Sequence, residues 1–150
     1  MSESKTPEIE TQLHVLMKRA LTGADAFDVL RAAYEDLEKF ARQTVPSEEA
    51  AAIARAIAGN LLTVAQVRRQ PVSTCDPLFQ RVVELGFRDA EDRLLQVGAY
   101  ARYCVERGHG SSIEQHLSNA LCEARTFFDP VKLTPFEELL DKIRSNANRT

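Results

Sequence analysis

The chain has 150 residues, of which 44% are hydrophobic, and this suits one compact domain with a substantial buried core. Its 19 basic and 22 acidic side chains give a net charge of -3 without a strongly basic block, so no nucleic-acid partner is predicted. The N-terminus MSESKTPEIE lacks the basic-then-apolar order of a signal peptide, and no apolar run is interpreted as a membrane span, which predicts a cytoplasmic protein without a membrane partner.

Helix-start signals recur along the chain, each followed by apolar residues three and four positions apart, and they predict an all-α fold of six to seven helices. The first helix begins at Thr6 and ends at Gly23, and Asp25 is predicted to cap the second. We interpret residues 1–24 as an N-terminal helical extension and residues 25–150 as the main helical domain. The apolar face of the first helix consists of Ile9, Leu13, Leu16, Met17 and Leu21.

The third predicted helix, which starts at Ser47, is apolar almost all round and should be the most buried one. Pro71 is predicted to end it. The segment PVSTCDP then forms a loop that contains Cys75, and Pro77 starts the next helix.

A helix over residues 89–107 has two arcs at about 100° per residue. One is apolar, and the other carries Tyr100 and Tyr103 with several arginines. Tyrosines beside a core arc usually pack half-buried, but Tyr and Arg are also enriched at binding surfaces, so both readings stay open. Phe127 and Phe128 are assigned to the core face of the following helix, and Thr134 with Pro135 to the start of the last one.

No catalytic or metal-binding pattern stands out. Glu106 and His109 have the Glu-x-x-His spacing of carboxylate-bridged metal sites, but Gly108 interrupts the helix and no second copy exists. The histidines and three cysteines give no recognisable order of nucleophile and base. We therefore predict neither an enzyme nor a metal site. A helix-turn-helix over residues 62–86 is disfavoured by its two prolines and its neutral local charge.

Several strings, in order, resemble the phycobiliproteins, the globin-related bilin-binding subunits of phycobilisomes. AFDVLRAAYEDLEKFARQTVPSEEAAAIARAIAGNLL is similar to the first two globin-type helices of that family. YCVERGHGSSIEQHLSNALCEARTFFDP resembles its Tyr, glycine turn, Ser, Glu, Asn, Leu, Glu pattern, and LTPFEELLDKIRSNA its next helix. The resemblance implies a globin-like fold that lacks the family's last long helix.

In that family a Cys-x-Arg-Asp motif holds a linear tetrapyrrole. The cysteine forms a thioether, the aspartate accepts from the pyrrole N–H groups, and the arginine pairs with a propionate. Arg88 and Asp89 match the last two positions, whereas Gly86 stands at the cysteine. Without an extra helical turn before Gly108, the pair falls instead on Asp92 and Arg93, in reversed order.

The resemblance therefore implies non-covalent binding of a bilin such as biliverdin by Arg88 and Asp89, with Tyr100 or Tyr103 nearby and Cys75 as an alternative thioether donor. The role would be that of a carrier or accessory protein in bilin metabolism rather than light harvesting. One alternative is a ligand-free interaction module that dimerises through the apolar face of the first helix. Another is haem binding, with His109 or His116 as the axial ligand.

Overall fold

A computed structural model describes residues 5–147, and this part of the chain contains seven α-helices, one short 3-10 helix and no strand. The all-α prediction is confirmed. The helices group into two compact units, one ending at Gly86 and one beginning at Phe87. Residues 1–4 of the predicted N-terminal extension and residues 148–150 of the predicted main domain lie outside the described residues.

The first unit is built around its third helix. Its helices are α1 (Thr6–Thr22), α2 (Phe27–Thr44), α3 (Ser47–Val67) and α4 (Val72–Leu85), and α3 contacts each of the other three. The prediction that α3 is the most buried helix of this region is confirmed. Its buried side chains are Ala50, Ile53, Ala54, Ile57, Ala58, Leu61, Leu62, Val64 and Ala65.

By length and composition alone, α3 could also cross a membrane, because its most apolar stretch has a mean hydropathy of 1.4. A stretch of this kind is not predicted from the sequence. Half of it is buried against the rest of the chain, and a core helix has the same composition, so this feature is weak evidence for a membrane span.

The predicted dimerisation face of α1 is largely buried by packing within the chain. Ile9 is fully buried and Leu16 nearly so, because α1 packs on α2 and α3. Of the five residues of that face, only Leu21 is strongly exposed, at 57%. Leu13 and Met17 are half-buried, and dimerisation through this face stays a prediction.

Arg68, directly after α3, anchors the turn between α1 and α2. Its guanidinium donates to the backbone oxygens of Ala20, Gly23 and Asp25 over 2.8 to 3.2 Å. The same turn is closed by Arg19, which forms two hydrogen bonds with the Asp25 carboxylate. Asp25 was predicted to cap α2, but this ion pair occupies its side chain, and Ala26 stands at the cap position.

The end of α3 contains the one non-glycine residue with positive φ among the described residues, Arg69 at 56°. The N–H of Gln70 donates to the Ala65 oxygen and that of Arg69 to the Gln66 oxygen, which is the Schellman pattern of a helix C-terminus. The position after the cap normally holds glycine, because a Cβ is strained at positive φ. The chain therefore carries backbone strain at Arg69.

The predicted loop around Cys75 is wrong, because α4 already begins at Val72 and contains Pro77. Val72, Cys75 and Phe79 lie on one face of this helix and are all buried. Pro77 removes one helical hydrogen bond, but ending the helix before it would expose this apolar face. Burial of the face therefore outweighs the local effect of proline.

The second unit comprises α5 (Ala90–Glu106), a 3-10 turn (Gly110–Ile113), α6 (Glu114–Ala124) and α7 (Pro130–Ala147). Helix α6 contacts both α5 and α7. The predicted start of the last helix at Thr134 and Pro135 is wrong. Helix α7 begins at Pro130, where the missing N–H removes no helical bond, and Pro135 lies inside it.

Helix α5 approaches α7 closely at Gly98. A Cβ added to Gly98 would lie 2.5 Å from Cε1 of Phe136, which is closer than carbon atoms tolerate. The absence of a side chain at Gly98 therefore allows the Phe136 ring to pack on the α5 backbone.

We expect Arg69→Gly to raise the free energy of unfolding by about 0.5–1 kcal/mol, because glycine relieves the strain of positive φ at some cost in unfolded-state entropy. Chemical denaturation measures this change.

Two matched variants separate the effect of the backbone conformation from the effect of the Arg69 side chain. Arg69→Ala keeps a Cβ and should leave stability unchanged. Gly108→Ala places a Cβ at φ 76° with nothing within 4 Å, so it should lower stability by about 1 kcal/mol through the backbone alone. Equal effects of Arg69→Gly and Arg69→Ala would contradict this account.

We expect Gly98→Ala to destabilise the protein by about 1–2 kcal/mol, although alanine is the better helix former, because the Phe136 ring must move. A double-mutant cycle with Phe136→Ala tests the cause. In that background Gly98→Ala should become neutral or stabilising. Additive effects would show that Phe136 is not the obstacle.

Candidate functional site

The predicted Arg88–Asp89 pair lies at the start of α5, on the surface of the second unit. Nε of Arg88 is 3.4 Å from Oδ2 of Asp89, and their side chains are 79% and 54% exposed. Asp89 is the N-cap of α5, and its Oδ1 accepts from the backbone N–H of Asp92 at 2.8 Å. Oδ2 of Asp92 in turn accepts from the backbone N–H of Arg88 at 3.0 Å. The Asp89 and Asp92 carboxylates thus stabilise the start of α5 by accepting from backbone N–H groups.

The hydrogen bond from the Asp92 backbone is the main reason why the pKa of Asp89 lies below its usual value, and the Arg88 charge adds to this effect. Asp89 is therefore ionised at neutral pH. Each of its oxygens has two lone pairs. Protein groups use three of these four lone pairs, because the backbone N–H groups of Asp92 and Glu91 and the Arg88 side chain donate to the carboxylate. One lone pair is left for a ligand.

Asp89 also lines a hollow of about 420 Å³, which we call the Asp89 hollow. Its lining residues are Asp89, Ala90, Glu91, Glu123, Phe127 and Phe128. Phe127 is 69% exposed, so the hollow presents an aromatic face beside an ionised carboxylate. A flat apolar molecule with N–H donors fits this chemistry.

A second hollow of about 230 Å³ shares Glu91 and Phe128 with the first, and we call it the Phe136 hollow. Its lining residues are Glu91, Leu94, Leu95, Phe128, Lys132, Leu133 and Phe136. Nζ of Lys132 lies 5.9 Å from the centre of the Phe128 ring, near enough for a cation–π contact. The two hollows together form a surface of apolar side chains that also carries the carboxylates of Asp89, Glu91 and Glu123 and the ammonium group of Lys132.

Tyr100 and Tyr103 do not line either hollow. Only 1% and 7% of their surfaces are exposed, their ring centres are 6.4 Å apart, and the rings are stacked. The guanidinium carbon of Arg107 lies 4.3 Å above the Tyr103 ring. The packing interpretation of these tyrosines therefore describes them better than the ligand-wall interpretation.

The structure places Cys75 in the first unit, completely buried within α4, whereas Arg88 and Asp89 belong to the second unit. Its Sγ lies 3.6 Å from the backbone oxygen of Gln70, to which it donates. A thioether needs an accessible thiolate. Cys75 is thus unsuited to be the alternative bilin attachment.

In the alternative register of the phycobiliprotein motif, Asp92 and Arg93 would contact the ligand. Both are occupied by the protein. Asp92 accepts from Gln96 and from the Arg88 backbone, whereas Nη1 of Arg93 is 2.6 Å from Oε2 of Glu123 and joins α5 to α6. Arg88 and Asp89 are the more accessible pair.

The two histidines proposed for haem lie in different surroundings. His109 is exposed and precedes the 3-10 turn, whereas His116 is half-buried on α6. Burial, with a smaller contribution from the nearby Arg93, lowers the pKa of His116 and keeps its ring neutral. Within residues 5–147 no group of three His, Cys, Asp or Glu side chains is arranged to hold a metal ion.

Sequence reasoning missed the role of Phe127, which was assigned to a helical core face. Helix α6 ends at Ala124, so the phenylalanine pair falls in the turn before α7 and the helical periodicity no longer applies. The string FFDP carried a usable signal, because Pro130 marks the start of a helix and a turn must precede it.

Compared with models of protein families, with curated proteins and with solved structures, the chain matches none significantly.

The N-cap role of Asp89 predicts a pH-dependent effect of its removal. Asp89→Ala should lower the free energy of unfolding at neutral pH. Because the folded pKa of Asp89 is depressed, its stabilisation is complete above the unfolded value of about 3.9 and is lost as the pH falls through the folded value. Denaturation curves of both proteins should therefore converge in acid. Asp89→Asn, which still caps, should keep most of the stability at neutral pH. A gap between wild type and Asp89→Ala that does not change with pH would contradict this role.

Proposed function

We propose that the protein is a non-catalytic bilin-binding protein, a globin-like relative of the phycobiliproteins that holds a linear tetrapyrrole without a covalent bond. The observation that carries this proposal is the position of Asp89, whose ionised carboxylate lines a hollow together with Phe127 and Phe128. The phycobiliprotein-like Arg-Asp pair thus stands next to a surface on which a flat apolar ring system can lie.

The residues of the second unit supply complementary chemistry for such a ligand. Asp89 accepts a hydrogen bond from a pyrrole N–H group through its remaining lone pair. Lys132, in the Phe136 hollow, and Arg88, exposed beside Asp89, are cations for the two propionates. Phe127 and Phe128 cover one face of the rings. Tyr100, Tyr103 and Cys75 have no part in this site.

A second candidate function is protein binding at the same surface. Leu95 and Phe127 are 54% and 69% exposed, and they line the two hollows that share Phe128. Exposed apolar side chains gathered in one region mark interaction sites more often than scattered ones do. In this alternative the surface binds an apolar segment of a partner or a second copy of the chain.

The decisive experiment is co-expression with a haem oxygenase, so that biliverdin is present, followed by gel filtration with absorbance detection. We expect a red-absorbing band that elutes with the protein and no mass increase after denaturation. Asp89→Asn keeps the helix cap but loses the carboxylate, so it should weaken biliverdin binding by about tenfold and shift the band to the blue. Asp141→Asn, which removes an exposed carboxylate from α7, is the matched control and should change neither.

The location can be tested separately, because the chain contains no tryptophan. In Phe127→Trp the new side chain is the only indole, and biliverdin should quench its fluorescence. In the double variant Phe127→Trp, Asp89→Asn, more biliverdin should be needed for the same quenching. A colourless wild type, together with a Phe127→Trp variant whose fluorescence does not respond to biliverdin, would exclude the bilin proposal. Dimers that are lost in Phe127→Ser would then favour the second candidate.

A further inference from the structure

The first unit contains a separate groove of about 500 Å³ between α2, α3 and α4, which we call the α2–α4 groove. Its lining residues are Arg31, Glu35, Glu38, Lys39, Arg42, Ile57, Ala58, Leu61, Pro77, Leu78 and Arg81. None of them belongs to the Asp89 hollow or the Phe136 hollow, so the groove requires its own explanation.

The floor of the groove is apolar. Ile57, Ala58 and Leu61 come from α3, and Leu78 comes from α4. All four are buried core residues that line the groove. Such a floor binds hydrocarbon or a ring system through the hydrophobic effect.

The rim of the groove is charged and carries more cations than anions. Glu38 is shared by two arginines, with Oε2 2.9 Å from Nη2 of Arg42 and 3.6 Å from Nη2 of Arg81. Arg31 pairs with Glu35 at 3.3 Å. With Lys39, four basic side chains of the rim share two carboxylates. This positive excess stands out in a chain whose net charge is -3.

We propose that the α2–α4 groove binds a small organic carboxylate, whose apolar body lies on the Ile57–Leu61–Leu78 floor and whose carboxylate meets Lys39 and the guanidinium groups of Arg42 and Arg81. A guanidinium has five N–H donors in a fork that matches a carboxylate, so the contact with Glu38 leaves donors on both arginines. The ligand's carboxylate offsets one of the two excess positive charges of the rim.

The dimensions favour a small molecule over a peptide. The volume lies inside the range of small-molecule pockets, about 300–1,000 Å³. A peptide helix would need a longer apolar track than these few floor residues provide. Charge selects the head group, because a neutral molecule with the same body would leave the excess positive charge of the rim uncompensated.

Octanoate is a suitable probe, and octanol, which has the same chain length without the charge, is its control. In protein with isotope-labelled Ile and Leu methyl groups, we expect octanoate to shift the methyl signals of Ile57, Leu61 and Leu78. The signals of Leu94, Leu95 and Leu133 report on the Phe136 hollow and should stay in place. Octanol should bind the groove more weakly.

Charge-reversal variants test the rim. Lys39→Glu should weaken octanoate binding by about fivefold, because a nearby cation becomes an anion, and should leave octanol binding unchanged. Lys18→Glu changes the net charge equally but lies on the exposed surface of α1, so it should bind octanoate like the wild type. Added salt should weaken octanoate binding to the wild type more than to Lys39→Glu.

The proposal is overturned if octanoate leaves the three groove methyl signals in place, if octanol binds as well as octanoate, or if Lys39→Glu and Lys18→Glu behave alike. Shifts confined to Leu94, Leu95 and Leu133 would also overturn it and would point to the second unit. Biliverdin binding is tested through the indole of Phe127→Trp, and octanoate binding through the groove methyl groups. Either proposal can therefore be refuted without affecting the other.

Discussion

The first unit depends on the guanidinium of Arg68, which gathers three backbone oxygens of the turn between α1 and α2. The last carbonyl groups of a helix have no partner within the helix, and a cation placed there satisfies them and opposes the partial negative charge of the helix end. Because Arg68 itself follows α3, this contact fixes the two connected helices on the central one. A lysine could not replace it, since one ammonium group cannot point its donors at three oxygens in this way.

The polar residues that first suggest a function mostly maintain the fold. Asp89 caps α5, Asp92 accepts from the backbone before it, and Arg93 joins α5 to α6 through Glu123. What distinguishes the surface next to Asp89 is the exposed apolar residues, above all Phe127. The binding properties of this surface therefore come from a carboxylate that caps a helix together with exposed aromatic rings. This combination suits holding a flat ligand with hydrogen-bond donors.

Helix periodicity and glycine positions predicted much of the fold. The end of α1 at Gly23 and the burial of α3 follow from local signals. Glycine ends a helix, and a helix that is apolar on almost every side must pack in the core. Pro77 and Pro135 misled the prediction, since a helix-start signal and a tolerated internal proline look the same in one sequence. At Pro77, only the burial of Val72 and Cys75 shows that the proline lies inside the helix and does not start it. Burial is a property of the packed chain and cannot be read from a local pattern. The exposure of Phe127 was missed for a local reason, because the phenylalanine pair lies in the turn between α6 and α7, where the helical periodicity no longer applies. The surroundings of Asp89 also depend on α6 and the turn after it, which lie far along the chain. A local sequence pattern therefore predicts the Arg88–Asp89 pair but not the hollow beside it.

The Asp89 carboxylate is both the cap of α5 and part of the candidate site. Ligand binding in the Asp89 hollow is therefore coupled to the opening of the first turn of α5. The first turn of α5 opens when Asp89 releases the Asp92 amide, and that amide then exchanges its hydrogen with water. Any molecule that contacts the Asp89 oxygens changes how often this occurs. Occupancy of the hollow would therefore be recorded in the exchange rate of a few backbone amides at the start of α5, even for a ligand with no colour or fluorescence of its own.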